Sequence, residues 1–416
     1  MLWLKTSIVL FSVGGAHLQC FTPDAHIPPL GESADLKGVA DFGFDLYGRL
    51  TLEKSTENFF FSPYSIWAAL VMVYFGAAGN TQAQLEAALR LSDKASAHRL
   101  AKGLEILYKQ QSSANLTLDV ANRAYFNQSF ALLPCVHTVF PDELRVLNFY
   151  DAKNAAGAMN SFVSQATRGL INNIVDESQI REASMVLINA VYFKGFWKNE
   201  FKKSLTKKED FFVSPTESVA VDMMSQTNSF KYGESAQLGA RVLELPYAAS
   251  NLSMLLLLPN SAGNGEPSLA DLVRKLSSTA LQDAISPRNM RSQRVHVRLP
   301  KFIFRAGLSN DLKQALQNLG IRDVFTRQSD LSQFSSQDRL LVTDIIHKAY
   351  VDVNEEGTEA AAVTAVIGFT ITSVGGAPRI IDFYCDRPFV FIIYDRQTDN
   401  VLFVGDIKNP SKFQGQ

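Results

Sequence analysis

The side chains that could carry enzymatic chemistry do not form a recognisable catalytic set in this sequence. The six histidines lie at positions 17, 26, 98, 137, 296 and 347, and none has a familiar catalytic context. There is no Gly-x-Ser-x-Gly elbow, Walker loop, His-Glu-x-x-His helix or dinucleotide fingerprint. Separated carboxylates could be imagined as a glycosidase pair, but no local pattern singles out a pair. The sequence therefore predicts a protein that is not an enzyme.

Composition gives equally little reason to expect a cofactor. No cluster of Cys or His has the spacing of metal ligands, and we predict no metal and no other cofactor. The three cysteines are Cys20, Cys135 and Cys385, and by count a disulfide between the last two is possible. A formal net charge of −1 gives no reason to expect binding to nucleic acid or to a membrane surface.

The stretch with the clearest chemical meaning is 355–365, Glu-Glu-Gly-Thr-Glu-Ala-Ala-Ala-Val-Thr-Ala. It has one Gly and no Pro or Asn, so it lacks the residues of a turn. As a strand it would place on one face the small residues Thr358, Ala360, Ala362 and Thr364. The other face would carry Glu359, Ala361, Val363 and Ala365. The small row would fit between existing strands, so the segment is suited to be either an exposed loop or an added strand.

The elements around this stretch are predicted strands. Residues 347–354 alternate with a period of two, which places one row against a core and the other toward water. The runs 389–393 and 401–406 predict a buried hairpin. Met185 to Phe193 is almost entirely apolar and predicts a strand buried on both faces. Asn189 inside it must find hydrogen-bond partners or cost about 1–3 kcal/mol.

Several of these segments resemble the serpin family. The stretch 355–365 resembles the hinge of an inhibitory reactive-centre loop, and 383–391 (Phe-Tyr-Cys-Asp-Arg-Pro-Phe-Val-Phe) resembles the family signature that follows the loop. Further matches are Phe-Phe-Ser-Pro-Tyr-Ser-Ile at 60–66, the 160–171 region, with Phe162 where Trp is usual, and Lys-Gly-x-Trp at 194–197. The resemblance extends from about Ser33 to Pro410. It implies an α+β fold with three β-sheets, a large central sheet, eight or nine helices and an exposed loop at about 355–382.

The resemblance also assigns site residues. It implies a hinge comprising Glu355, Glu356, Gly357, Thr358, Glu359, Ala360, Ala361, Ala362 and Thr364. A buried polar network, the shutter, would contain Ser62, Ser65, Asn189 and His347. Trp197 and Lys301 would lie at the upper entry of the sheet, the breach, with Lys301 paired to Glu355. The matched positions of Cys135 and Cys385 lie in separate regions of the fold, so we expect two unpaired thiols.

The activity that the resemblance implies is covalent trapping of a target serine protease, whose acyl-enzyme is carried along as the cleaved loop enters the central sheet. In relatives the scissile residue usually lies fourteen beyond the hinge Gly, which gives the bond Ile371–Thr372. Phe369 or Thr370 are alternatives that suit a slipped register. Arg379 would suit a trypsin-like target, whereas Ile371 suits an elastase-like pocket and Phe369 a chymotrypsin-like one. The alternative interpretation is a non-inhibitory serpin that acts as a carrier or chaperone.

The remaining expectations concern compartment and partners. Residues 1–16 resemble a secretory signal, 17–32 a flexible lead-in, and 33–416 a single domain. Three sequons, at Asn115, Asn127 and Asn251, fit a secreted glycoprotein. We expect a monomer whose partner is the protease. Basic residues at 90–109 match a helix that binds heparin in some relatives, but interspersed acidic residues favour a solvated face over a glycosaminoglycan site.

Overall fold

A computed structural model describes residues 21, 30, 34–53, 57–113, 115–260, 268–336, 340–357 and 379–413. The predicted signal sequence, most of the lead-in, and the loop from 358 to 378 lie outside these residues. So do the hinge residues from Thr358 onward and the candidate scissile residues Phe369, Thr370, Ile371 and Thr372.

The described residues contain ten α-helices and three short 3₁₀-helices, slightly more than the eight or nine helices expected. The α-helices are α1 (Ala34–Glu53), α2 (Pro63–Gly76), α3 (Gly79–Leu89), α4 (Lys94–Gln111), α5 (Val136–Val139), α6 (Ala152–Ala166), α7 (Glu177–Ile180), α8 (Leu269–Lys275), α9 (Ser278–Ala284) and α10 (Asn310–Asn318). The 3₁₀-helices are Lys203–Leu205, Asp323–Phe325 and Pro410–Phe413. Polar side chains begin several helices: Ser62 caps α2 and Asp93 caps α4.

Fourteen strands accompany these helices in the same residues. They are β1 (Phe59–Phe61), β2 (Leu116–Asn127), β3 (Leu144–Leu147), β4 (Met185–Gly195), β5 (Lys207–Ser214), β6 (Glu217–Ser235), β7 (Ala240–Pro246), β8 (Leu252–Pro259), β9 (Met290–Pro300), β10 (Phe302–Leu308), β11 (Val342–Val353), β12 (Ile381–Tyr384), β13 (Phe389–Asp395) and β14 (Asn400–Ile407). The predicted hairpin of β13 and β14 and the buried strand β4 are both present.

The strands form two hydrogen-bonded sheets among the described residues, not the three that we expected. The central sheet has five strands in the order β10-β11-β4-β2-β3, and the larger sheet has nine. The difference has a physical cause in β6, a strand of 19 residues. Its first part pairs with β5, its last part pairs with β7, and β9 runs alongside from Met223 to Gly233. One continuous strand therefore joins what would otherwise be two sheets.

The central sheet is buried on both faces. One face packs on the main hydrophobic core, which includes α1, α2 and the strands of the larger sheet. The other face is covered by α6, whose Met159 and Val163 pack with Val186, Ile188 and Tyr350. This explains why nearly every residue of β4 is buried.

Because α6 packs over this face, our expectation that one row of β11 faces water is wrong. The row that contains His347 and Val351 is buried, as predicted. The opposite row was expected to face water, yet Tyr350 is buried and Lys348 and Asp352 are only partly exposed. A period of two identifies the two faces of a strand but not what lies over each of them.

Candidate functional site

The shutter network lies at one level across the three middle strands of the central sheet. His347 of β11 is opposite Asn189 of β4, and Asn189 is opposite Asn122 of β2. Asn189 Nδ2 donates to the Ser65 carbonyl oxygen at 2.9 Å and also contacts Ser65 Oγ and Asn122 Oδ1. The buried amide predicted to need partners therefore has several, and they link two strands to α2.

The ring of His347 joins the same network through both nitrogens. The backbone N–H of Ser62 donates to His347 Nε2 at 3.2 Å, and Nδ1 contacts Asn189 Oδ1. Since Nε2 accepts a hydrogen bond, Nδ1 must carry the proton and donate to the amide oxygen. Burial lowers the pKa of His347 to about 3. The imidazole is therefore neutral at physiological pH and holds β11 against β4 and the start of α2.

Two serines position the beginning of α2 within this network. Ser62 Oγ accepts the backbone N–H of Ser65 at 3.2 Å, the N-cap hydrogen bond, and donates to the Leu402 carbonyl oxygen at 2.7 Å. Ser62 therefore links the central sheet, through His347, both to β14 of the larger sheet and to α2. Ser62 is the N-cap of α2, whereas Ser65 lies in its first turn, and both serines contact residues that hold the central strands together.

The breach network surrounds Glu355, just after the end of β11. Lys301 Nζ lies 2.8 Å from Glu355 Oε2, so the expected pair is present, and Thr206 Oγ1 donates to Oε1 at 2.7 Å. Burial alone would raise the pKa of Glu355, but the hydrogen bonds from Lys301 and Thr206 outweigh it and lower that pKa. Glu355 is 4% exposed, so a charged carboxylate is held at the end of β11.

Backbone hydrogen bonds also hold the residues at the end of β11 in place. The Phe201 N–H donates to the Glu355 carbonyl oxygen at 2.8 Å, and the Trp197 N–H donates to that of Glu356 at 3.3 Å. Trp197 Nε1 donates to the Asn354 carbonyl oxygen at 2.9 Å, while its ring stacks on Tyr247 with centroids 4.7 Å apart. The end of β11 is therefore docked on the 195–201 segment that follows β4.

Gly357 is the last described residue before the loop, and its position requires glycine. Its φ is +78°, in the left-handed region. A Cβ there would lie 2.3 Å from the Gly195 carbonyl oxygen and 2.4 Å from the Trp197 backbone nitrogen. The backbone thus adopts a left-handed conformation at a point where no side chain fits.

The distal end of the loop is anchored on a different sheet. Arg379 and Ile380 are exposed, and Ile381 begins β12, which pairs in parallel with β9. Arg241 donates to the Asp382 carbonyl oxygen at 2.8 Å. The undescribed residues 358–378 therefore connect the breach to the edge of the nine-stranded sheet.

Sequence reasoning missed two members of these networks. Asn122 contacts Asn189, and Thr206 contacts Glu355. A signal for Asn122 existed, because it is a polar residue within the long apolar-rich strand 116–127. No local pattern marks Thr206, which approaches Glu355 only through the three-dimensional fold.

The cysteine and sequon predictions are partly wrong. Cys385 is free and buried, as expected, and burial raises its pKa, but Cys135 is disulfide-bonded. Asn115 and Asn251 are exposed, whereas Asn127 is 7% exposed and its Nδ2 donates to the Ala183 carbonyl oxygen at 3.3 Å. A glycan on that nitrogen would have to displace the buried contact, so the structure is incompatible with glycosylation at Asn127.

The basic residues on and before α4 do not form a joint anion-binding face. Arg90 pairs with Asp45, Lys109 pairs with Glu105, and Lys102 pairs with Glu105 and Glu143. Lys94 donates to two backbone carbonyl oxygens, and His98 is 4% exposed. We therefore propose no glycosaminoglycan site on this helix.

Among the described residues, no helix is long and apolar enough to cross a membrane. Within the same residues, no group of three or more His, Cys, Asp or Glu side chains could hold a metal ion.

Comparisons with known proteins agree with the geometry of this site. A family model described as serpin (serine protease inhibitor) matches residues 37–410. The protein named Iris from Ixodes ricinus is 36% identical over 379 residues, which span 89% of this chain and 97% of Iris. The leukocyte elastase inhibitor of Sus scrofa is 34% identical over 375 residues, with 89% and 97% covered.

Solved structures give the same result. The crystal structure of uncleaved ovalbumin has a TM-score of 0.78 and 29% sequence identity, and the match covers 90% of this chain and 100% of that one. The shutter and breach contacts thus occur in a chain that matches the serpin family model over well more than half of its length. This chain belongs to the serpin (serine protease inhibitor) family and is not an enzyme.

Proposed function

We propose that this protein is a secreted suicide-substrate inhibitor of serine proteases, which traps the acyl-enzyme by inserting its cleaved loop between β4 and β11. The observation that carries the proposal is the direction of these two strands. They are parallel neighbours, paired from Val342–Met185 to Val351–Phe193. A segment that leaves β11 and folds back would be antiparallel to both of them. Insertion would replace one parallel pair with two antiparallel pairs, which are slightly more stable per residue.

Composition of the hinge supports insertion. Thr358, Ala360, Ala362 and Thr364 are small and uncharged, so this row can enter the sheet without overpacking or an unpaired buried charge. The hinge contains no Pro, which would remove a ladder hydrogen bond. About a dozen new backbone hydrogen bonds at about 0.5–1.5 kcal/mol each, with apolar burial, total on the order of 10 kcal/mol. The uncleaved form is therefore a metastable state held by a kinetic barrier.

The lengths of the flanking strands favour Ile371–Thr372 as the scissile bond. β4 has 11 residues and β11 has 12, so about a dozen residues from Thr358 onward would fill the slot. A protease attached at Ile371 would then be held at the far end by a short, taut connection. Attachment at Arg379 would leave about eight further residues of slack, and the distorting force on the protease active site would be lost.

An apolar scissile residue suits a protease with an apolar specificity pocket. Ile371 fits an elastase-like target, and the slipped alternative Phe369 fits a chymotrypsin-like target. The pig relative is named as an inhibitor of leukocyte elastase, which supports the first of these. Exposed Asn115 and Asn251 are accessible for glycosylation, which agrees with secretion.

The test is to incubate the purified protein with elastase, chymotrypsin and trypsin and to analyse each mixture on a denaturing gel. We expect a complex that resists denaturation with an enzyme of apolar specificity, and a released C-terminal peptide that begins at Thr372. A peptide that begins at Ile380 would instead identify Arg379 as the reactive residue. A catalytically dead Ser→Ala form of the protease is the control, because it cannot form the acyl-enzyme.

The competing reading is a serpin that serves as a carrier or chaperone and forms no covalent complex. Cleavage by all three proteases without any stable complex would favour that reading and would contradict the inhibitory mechanism. Gel filtration of the untreated protein tests the monomer expectation, since a protease trap requires only one copy of the chain.

A further inference from the structure

A cavity of about 330 Å³ lies between the segment that follows α6 and the first two strands of the central sheet. One wall is residues 170–173, and the other includes Arg305 and Gly307 of β10 and Lys348 of β11. The volume is several times the roughly 30 Å³ that one water molecule occupies in the liquid, so a hydrated ion fits. None of the residues that line this cavity belongs to the shutter or the breach.

The two cations of this cavity are near enough to each other to hold one ligand. Lys348 is paired with Gly307, and Arg305 is paired with Tyr350, two positions away along both strands. Diagonal neighbours on antiparallel strands are about 7–8 Å apart, a distance that long side chains can span. Both side chains line the same cavity, so their charged ends can converge on it.

Neither cation forms a salt bridge with a carboxylate in the part of the chain that the structure describes. Lys348 Nζ donates to the Asn173 carbonyl oxygen, which is neutral. The Arg305 guanidinium lies 5.6 Å from the centroid of the Tyr350 ring. The cavity therefore carries two positive charges that no acidic side chain neutralises directly.

The nearby carboxylates compensate these charges only in part. Burial lowers the pKa of the Lys348 ammonium, and the charge of Asp176 offsets this effect incompletely. Asp176 does not line the cavity. Asp352 is the other diagonal neighbour of Arg305, but it accepts a hydrogen bond from Asn354 at 3.2 Å and does not line the cavity either. An anion in the cavity would supply the missing negative charge.

We propose that this cavity binds a phosphate or sulfate group between Arg305 and Lys348. The planar guanidinium matches two oxygens of a tetrahedral anion, and the ammonium adds a point charge from the neighbouring strand. Such a group can arrive as a free ion or carried on a saccharide, and it presents the same oxygens in both cases.

The site lies where the segment after α6 crosses the strands that must separate. Arg168 Nε of this segment lies 3.0 Å from Asp119 Oδ2 of β2, and the Asn173 carbonyl oxygen accepts from Lys348 of β11. The segment thus contacts strands on both sides of β4. An anion between the segment and β11 would strengthen this bridge and slow insertion of the loop. The effect on insertion rests on the proposed function, whereas binding of the anion does not.

Thermal unfolding of the uncleaved protein, without any protease, tests the site. Midpoints are compared in sodium phosphate, sodium sulfate and sodium chloride at one ionic strength and pH, for the unmodified protein, Arg305→Gln and Lys348→Gln. We expect phosphate and sulfate to raise the midpoint of the unmodified protein by about 2–4 °C relative to chloride. The rise should fall by at least half in each variant. Both ions also stabilise proteins by exclusion from the surface, so the difference between proteins is the readout.

Two further variants locate the effect. Arg294→Gln is the matched control, because it removes an exposed arginine of β9 that lies outside the cavity, and it should keep the full rise. Gly307→Val keeps both cations but fills the cavity, and it should lose the rise as Arg305→Gln does. A Cβ at residue 307 would lie 3.6 Å from Lys348 Cε, an ordinary contact distance, so the fold should tolerate this change.

Three results would overturn the site. They are an equal rise in all the proteins, a loss in Arg294→Gln as large as that in Arg305→Gln, and a full rise in Gly307→Val. A sulfated disaccharide at the same concentration of sulfate groups separates the two sources of the anion. A larger rise than with inorganic sulfate, lost in Arg305→Gln, would assign the group to a saccharide, and an equal or smaller rise would assign a free ion. Failure to trap any protease, with the anion effect intact, would contradict the proposed function and leave the site standing.

Discussion

The neutral imidazole of His347 links the protonation state of the protein to the closure of its central sheet. Its Nε2 accepts a hydrogen bond from the backbone N–H of Ser62 and its Nδ1 donates to Asn189. Protonation would place a second N–H at Nε2, facing the Ser62 N–H, and would add a charge at a residue that is 0% exposed. The contact that joins β11, β4 and α2 would then be replaced by repulsion.

We predict that the uncleaved protein loses stability as the pH falls from about 7 to about 5. The folded-state pKa of His347 is about 3, below the unfolded value of about 6.5, so the unfolded chain binds the proton first. Stability from the neutral imidazole is present above about pH 6.5 and is lost progressively toward the folded pKa. At pH 5 the loss is about 2 kcal/mol. Thermal midpoints measured from pH 7 to pH 5 give this slope.

The control is His347→Gln, whose amide can donate and accept but does not titrate. This variant is expected to be less stable at pH 7 and to show a flatter pH profile over the same interval. Equal slopes in the two proteins would contradict the assignment of the pH effect to His347.

A second residue-scale prediction concerns the pair at the breach. Lys301→Met should destabilise the uncleaved form by about 1–3 kcal/mol, because it leaves the Glu355 carboxylate buried without its cation. The Lys301 side chain is 37% exposed, so the cost is below that of a fully buried pair. We expect a thermal midpoint lower by roughly 2–5 °C and faster loss of inhibition on storage.

Lys203→Ala is the matched control for this substitution. Lys203 pairs with Glu356 at the same end of β11, but its side chain is 71% exposed. Surface pairs contribute at most about 1 kcal/mol, so the control should be close to the unmodified protein. A control that is as unstable as Lys301→Met would show that burial of Glu355 is not the cause.

At the scale of elements, the proposed mechanism depends on the hinge, which would belong to an exposed loop before cleavage and to a strand of the central sheet after it. Ala360→Arg or Ala362→Arg should convert the inhibitor into a substrate, because a charge in this row would be buried unpaired on insertion. We expect at least a tenfold rise in the number of inhibitor molecules cleaved for each protease molecule trapped. The ratio of cleaved inhibitor to stable complex on a denaturing gel measures this effect.

Ala361→Arg is the control, since residue 361 lies in the row that already carries Glu359. It should affect trapping much less than the substitutions at 360 or 362. Unchanged inhibition by the variants at 360 and 362 would be incompatible with insertion of this row into the core side of the sheet.

The elements also show how far sequence reasoning extends. The apolar run of β4 and the alternation of β11 predicted both strands, because burial on a pleated surface leaves a local pattern. Motif matches supplied Asn189, His347, Glu355 and Lys301, which the structure brings together in two networks. The cover of α6 over Tyr350 left no pattern in β11 itself.

The predictions that failed depended on long-range pairing. The merging of two sheets through β6 depends on partners up to 77 residues apart along the chain, Met223 and Pro300. Thr206 reaches Glu355 across 149 positions in sequence. That Cys135 is disulfide-bonded depends on proximity in the folded chain, which cysteine spacing does not encode.

At the scale of the whole molecule, the proposed function requires that the uncleaved protein is not in its most stable state. The shutter and breach networks hold β4 and β11 together with side chains that must part before a strand can enter. In the proposed mechanism, energy on the order of 10 kcal/mol would be stored as hydrogen bonds not yet formed and apolar surface not yet buried. Cleavage of the loop would release that energy and displace the attached protease.

The most direct measurement compares the heat stability of the intact protein with that of the protein cleaved in its loop by a non-target protease. We predict that cleavage raises the thermal midpoint by roughly 10–20 °C, since about 10 kcal/mol is gained in a chain of this size. Hydrogen exchange should slow most in β4 and β11, which flank the new strand. An unchanged midpoint together with unchanged exchange in these two strands would contradict insertion, and with it the proposed inhibitory mechanism.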